Sequence, residues 1–340
     1  MRTPLPVVLG LVLLVGTLVA CTGSAPADGP VAIRTTPDSA VSAQASPRQL
    51  PSPAPSGPSQ RSRLALTVAA GGPAASLVGL ERARVVVEYP VAADGTGLFI
   101  LLDSDADAVG PLRSATPSDA ALALAFGADL ATAVTTGAVV DDLRRAGLSV
   151  VEELTSPGAL VRDPARQAPF NLYAVPARIR AGVGDRPAGP DRPPGGGEHR
   201  SGGGQSVNEF AVTMLDGVTA TWSWDPAAGR WLRTARGQLE LSATGERIGA
   251  GAIVVLEVQA AASRPPVVAD LVGAGSAVVL REGAAFPARW ERADAAAVPT
   301  IDGLDAASGN GTVWLHICAA PCASSSHSLH ASQPTGVPFK

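Results

Sequence analysis

The chain has little with which to perform nucleophilic or metal chemistry. It carries four histidines, His199, His316, His327 and His330, so none precedes His199. A serine or cysteine nucleophile needs a base beside it, and the first half of the chain offers no imidazole for that role. Three cysteines are present, Cys21, Cys318 and Cys322. The last two are expected to form a small disulfide; a metal site with His316 as helper is the alternative, a poor one without carboxylates nearby. Charged residues make up 16% of the chain, the net charge is −4, and no Lys/Arg block stands out. Nucleic acid is therefore excluded as a partner. Beyond the first twenty residues no stretch is apolar for the eighteen residues a membrane-spanning helix requires. Aromatics are scarce at 4%, and there is no internal repeat. No catalytic constellation, cofactor motif or metal-ligand set emerges.

What is present begins at the N-terminus. Arg2 precedes an apolar run, Val7 to Val19, interrupted only by Gly10, Gly16 and Thr17, which is the layout of a secretory signal peptide. Leu18-Val19-Ala20-Cys21 resembles the bacterial lipobox, in which small residues precede a cysteine that becomes the lipidated N-terminus. An ordinary signal peptide with a chance cysteine is the alternative. A diacylglyceryl group on Cys21 would give a durable tether, since stable anchoring takes more than one acyl chain. The expected location is the outer face of a cell membrane, with the membrane itself as first partner.

The organisation read from composition is a signal peptide at 1–20, a lipidated cysteine and disordered stalk at 21–62, an α/β or α+β domain at 63–181, a linker at 182–207, a mainly β domain at 208–318 and a disordered tail at 319–340. The stalk is built from Ala, Pro, Ser, Thr and Gln and cannot form a core; as a random coil its ends lie about 35 Å apart, further where proline stiffens it. The linker contains Gly195-Gly196-Gly197 and Gly202-Gly203-Gly204 among prolines.

In the first domain Leu64–Val68, Arg84–Glu88 and Leu98–Leu102 read as strands. Ser118 to Ala133 reads as a helix that starts after Pro117, and a short helix from Val139 to Ala146 leads into a strand at Leu148–Val151. The second domain has strand-like segments at Phe210–Met214, Thr219–Trp224, Trp231–Thr234, Gln238–Leu241, Ile253–Val258, Ala277–Arg281 and Val313–Ile317. At strand spacing Trp222 and Trp224 share a face. Stacking on sugars and packing in a core both use that arrangement, and core is the expected role for Trp222, Trp224, Trp231 and Trp290.

Several separated motifs resemble one family. Gly110-Pro111-Leu112-Arg113-Ser114-Ala115, Val86-Val87-Glu88-Tyr89, and Arg162-Asp163 followed by Ala168-Pro169-Phe170-Asn171-Leu172-Tyr173 are similar to strings of the YerB-like bacterial lipoproteins. So are Trp222-Ser223-Trp224-Asp225, Gly229-Arg230-Trp231-Leu232-Arg233 and Gly273-Ala274-Gly275 leading to Trp290. The resemblance covers most of residues 63 to 317 and implies an envelope lipoprotein with two domains of unassigned function. Family positions that are commonly polar are here Ala69-Ala70, Gly97-Leu98, Thr116 and Phe170. Ala69, Leu98, Thr116 and Phe170 gathered around one cavity with Arg113 would point to a lost site; scattered positions would not.

The ligand-binding candidates are Glu88, Arg113, Ser114, Arg162, Asn171 and Tyr173. Arg113 ahead of a helix would suit a carboxylate or phosphate, and its alternative is an internal pair with Glu88. A carboxylate mechanism would use Glu88 with Asp103 or Asp163. Asp103-Ser104-Asp105-Ala106-Asp107 begins like a calcium loop, yet the sixth position is Ala108 and the twelfth Ser114, so it reads as an acidic turn. The preferred expectation is a binding module for a cell-wall fragment, a small anion or an envelope protein. An enzyme acting on wall material and a structural partner in wall synthesis are the alternatives.

Overall fold

Strand residues alternate between two faces, and in this chain both faces are apolar. In β1 (Arg63–Ala69), Leu64, Leu66 and Val68 join one buried cluster and Ala65 another. A sheet built from such strands has to be covered on both sides. The computed structural model describes residues 63–70, 77–91, 95–102, 104–184, 204–214, 217–258, 271–304, 311–319 and 324–325, all within one unit spanning residues 56–340. The signal segment, Cys21, the stalk, most of the Gly/Pro linker, Asp103, His199, Cys322, His327 and His330 lie outside the described residues.

After β1 come a 3-10 turn (Leu80–Arg82), β2 (Ala83–Val91), β3 (Gly95–Leu102), α1 (Pro117–Phe126), β4 (Ala128–Ala131), α2 (Gly137–Arg145), β5 (Val150–Val151), β6 (Leu160–Arg162), β7 (Leu172–Ala174) and α3 (Pro176–Val183). The second half holds β8 (Gln205–Ser206), β9 (Glu209–Thr213), β10 (Thr219–Asp225), β11 (Arg230–Ala235), β12 (Gln238–Leu239), β13 (Gly249–Ala250), β14 (Ala252–Val258), β15 (Gly273–Arg281), β16 (Ala284–Arg292), β17 (Thr300–Ile301), β18 (Val313–Ala319) and β19 (Ser324–Ser325). A helix-containing first half followed by a β second half is the order that the sequence patterns give.

The two halves share one sheet. Its strands run β17-β16-β15-β14-β18-β2-β3-β1-β4-β5, with β8 on β16. Strand β18 lies parallel to β14 on one side and parallel to β2 on the other. The last long strand therefore joins the second half to the first. Helices α1 and α2 contribute Leu122, Ala123, Phe126, Val139 and Leu143 to the cluster on one face. On the other face a six-stranded sheet, β12-β11-β10-β9-β19 with β13 on β11, contributes Phe210, Val212, Trp222 and Trp231.

The helix expected over Ser118–Ala133 is shorter. It ends at Phe126 because Gly127 adopts a left-handed conformation, φ 59°, and closes it. Ala128–Ala131 then pairs in parallel with β1, a tertiary pairing that overrides the helical preference of an Ala/Leu-rich stretch. Its start is as the sequence suggests, with Pro117 in the first turn and a capping box between Thr116 and Asp119. β16, α3 and the β6–β7 hairpin have no counterpart in the sequence reading. In β16, Pro287 and a pattern in which only Trp290 and Arg292 are buried hide the strand.

Candidate functional site

Arg113 follows Pro111 in a segment threaded between β1 and β7. Its N–H donates to Thr67 O at 2.9 Å, and Leu112 N donates to Leu172 O at 2.7 Å. The guanidinium points to the helix side of the large sheet. There Nη1 and Nη2 donate to the two oxygens of Asp119 at 2.9 and 2.8 Å. Nη2 also donates to Tyr89 Oη at 2.7 Å and Nη1 to Ser114 O at 2.8 Å. Tyr89 in turn donates to Asp119 Oδ1 at 2.5 Å, and Asp119 accepts from Thr116 N and Oγ1 at 2.7 and 2.9 Å. Burial alone would lower the pKa of Arg113, but the charge of Asp119 and the Tyr89 oxygen outweigh it and the net shift is upward. Burial first, and the Asp119 charge second, push the Tyr89 phenol up. The structural alternative for Arg113 thus has a different partner from the one expected: Asp119, not Glu88.

Glu88 is on the opposite face of β2, 1% exposed. Its Oε1 accepts from Arg233 Nη2 at 2.8 Å, and Oε2 accepts from Trp314 Nε1 at 2.9 Å. Arg233, 2% exposed, also pairs with Glu240 and lies over the Trp314 and Trp222 rings at 4.9 and 5.8 Å. The register of β18 on β2 sets His316 opposite Glu88, and that of β10 on β11 sets Trp222 opposite Arg233. Trp222 Nε1 donates to His316 Nε2 at 3.0 Å. With Nε2 accepting, the neutral imidazole carries its proton on Nδ1, which lies 3.4 Å from Glu88 Oε2 without meeting hydrogen-bond geometry. Burial, and then the positive charge of Arg233, hold His316 well below the ordinary histidine value. This is a polar plug between two sheets, closed to solvent.

Arg162, Asn171 and Tyr173 stand elsewhere, on the β6–β7 hairpin. Half-exposed Arg162 forks onto Glu153 at 2.6 Å twice and donates to Asn171 Oδ1 at 2.8 Å. Tyr173 is buried, packs against Gly110 and lies under Arg166 at 5.3 Å. Asp163 pairs with Arg166 at 3.1 Å and Asp105 with Arg180 at 2.8 Å. The six candidates therefore fall into three groups. Of the altered family positions, Thr116 caps α1 beside the Arg113–Asp119 pair, and a Cβ on Gly97 would stand 2.6 Å from Arg113 Nε. Leu98 belongs to the other face, and Phe170 lies in the hairpin, its carbonyl 3.4 Å from Tyr173 Oη. They do not ring one cavity.

Cys318 is disulfide-bonded; its expected partner, Cys322, is outside the described residues. Among the described residues no three His, Cys, Asp or Glu gather in a way that could hold a metal, and no helix is long and apolar enough to cross a membrane.

Sequence reading missed an open cleft where the 3-10 turn of the first half meets the second. Arg230, Arg247, Glu81, Glu246, Ser242 and Thr312 line it. Arg247 is steered by a 3.2 Å bond from Nη2 to Arg233 O. The Nε atoms of both arginines are buried and have no acceptor. Arg233 was missed too, although a signal existed: it shares the buried phase of β11 with Trp231 and Ala235, a place where an arginine needs a partner.

Residues 54–189 match the model described as the N-terminal domain of the protein of unknown function DUF3048, and residues 210–315 match the corresponding C-terminal domain. The crystal structure of the YerB protein from Bacillus subtilis superimposes with a TM-score of 0.63 at 18% identity, over 76% of this chain and 91% of that one. At that identity the likeness speaks for the fold alone. None of the curated proteins matches the chain.

Proposed function

The chain belongs to the DUF3048 family of proteins of unknown function, and from that premise we propose that it is a binding module tethered to the outer face of a bacterial membrane rather than an enzyme. Lipid on Cys21 holds it, and the Pro/Ser/Ala stalk raises the folded part above the surface. It recognises a cell-wall fragment or an envelope protein.

One observation carries the choice between binding and catalysis. Glu88, the carboxylate that a wall-cleaving mechanism would use, is 1% exposed and has both oxygens engaged. A general acid or base has to come within hydrogen-bond reach of substrate, and this one is shut between two sheets. Arg113 is spent in the same way on Asp119 and Tyr89. Arg230, which no hydrogen bond or ion pair engages among the described residues, and Arg247 line an open cleft instead.

The test uses the full chain in membranes, offered purified muropeptides. Retention without change in muropeptide mass supports the reading, and Cys21→Ala should release the protein into the soluble fraction. Turnover that disappears in Glu88→Gln while the variant stays folded would replace it with the enzyme.

A further inference from the structure

Two half-buried arginines, Arg230 and Arg247, line one cleft, and each has guanidinium donors that no acceptor among the described residues uses. Arg230 opens the regular strand β11, and no hydrogen bond or ion pair engages its side chain among the described residues. Arg247 is fixed by its bond to Arg233 O. The Nη donors of Arg230 and Nη1 of Arg247 are therefore left for the oxygens of a carboxylate.

The rest of the lining limits what can bring that carboxylate. Glu81 and Glu246 are exposed, whereas the arginines are half-buried. Neither acid forms an ion pair with either arginine. An anion alone would meet two negative charges as well as two positive ones in the lining. A ligand with a carboxylate at one end and an ammonium a few bonds away satisfies both. The cleft lies where the 3-10 turn of the first half meets the second half, and small-molecule sites often sit where two substructures meet.

We propose that the Arg230–Arg247 cleft binds a zwitterionic amino acid or short peptide, its carboxylate on the two arginines and its ammonium toward Glu81 and Glu246. This rests on the binding-module reading and names its ligand class.

The test is calorimetric titration of the full chain in detergent with three probes: alanyl-alanine, its N-acetyl derivative and its C-terminal amide. Alanyl-alanine should bind, and loss of the carboxylate in the amide should weaken binding by about tenfold or more, the loss expected for a charge-assisted hydrogen bond. Arg230→Ala should do the same in a chain that stays folded, since no hydrogen bond or ion pair among the described residues uses that side chain. Arg230→Lys keeps the charge without the fork and should recover binding in part. The N-acetyl probe should bind more weakly to the parent chain, and that difference should vanish in Glu81→Gln/Glu246→Gln. Equal binding of acid and amide, or undiminished binding in folded Arg230→Ala, overturns the assignment. Absence of binding by all three probes in a chain that still retains muropeptides overturns it as well and leaves the binding-module reading standing. Failure of both measurements removes the two together.

Discussion

Glu88 and Tyr89 are consecutive in β2 and serve different polar networks on opposite faces of the large sheet, Glu88 with Arg233 and Trp314 and Tyr89 with Arg113 and Asp119. One peptide bond thus separates the groups that tie this strand to the six-stranded sheet and to helix α1.

The Glu88–Arg233 pair should show strong non-additivity. Glu88→Ala leaves a buried guanidinium partly uncompensated and should cost about 3–5 kcal/mol, as should Arg233→Ala, whereas Glu88→Leu/Arg233→Met should cost far less than the sum. Urea denaturation of the four chains measures it. Additive losses would show that the pair is not coupled.

Acid should weaken the fold from a pH where carboxylates are still ionised. His316 is held neutral, with Glu88 on β2, Arg233 on β11 and Trp222 on β10 packed around it. Below about pH 6.5 the unfolded chain takes up a proton that the folded chain refuses, so stability should fall by up to about 1.4 kcal/mol per pH unit. His316→Gln, whose amide oxygen still accepts from Trp222, should flatten the stability profile between pH 5 and 6.5. An unchanged slope would place the proton uptake on another group.

Asp119 collects five donors, so Asp119→Ala should be among the most damaging changes in the first half, about 3–5 kcal/mol, because Arg113 is left buried without its counter-charge. Thr116→Ala removes only the cap and should cost about 1 kcal/mol. Thermal melts of the two variants rank them; a reversed ranking would mean that Arg113 finds another acceptor.

Gly97 is required by close approach. A Cβ there would lie 2.5 Å from Val91 Cγ2 and 2.6 Å from Arg113 Nε. Gly97→Ala should therefore cost about 1–3 kcal/mol by overpacking, read from the denaturation midpoint, although alanine is ordinarily tolerated in a strand. A neutral result would show that the Arg113 side chain moves aside freely.

Much of the fold was legible because strands buried on both faces are near-continuous apolar runs: Leu64–Val68 and Ile253–Val258 give their elements away. The shared sheet was not. A glycine-rich linker between two patterned halves looks like a boundary between independent domains, and no local pattern reveals that β18 pairs with β2. The site was legible as residues but not as groups. Glu88, Arg113 and Tyr173 sit in recognisable strings, yet their partners Arg233, Asp119 and Arg166 are supplied by register and packing. Arg230 lay inside a motif whose tryptophan drew the attention, and its solvent-facing phase in β11 resembles any exposed strand arginine.

The insertion of β18 between β14 and β2 dictates an order of events during biogenesis. Val313 pairs with Val85, so the edge of β2 stays bare until almost the whole chain has emerged. Pairing across such a separation is slow to form, and an open strand edge invites association with other chains. A chain that terminates early at its glycine-rich middle would present it permanently and become a substrate for quality-control proteases.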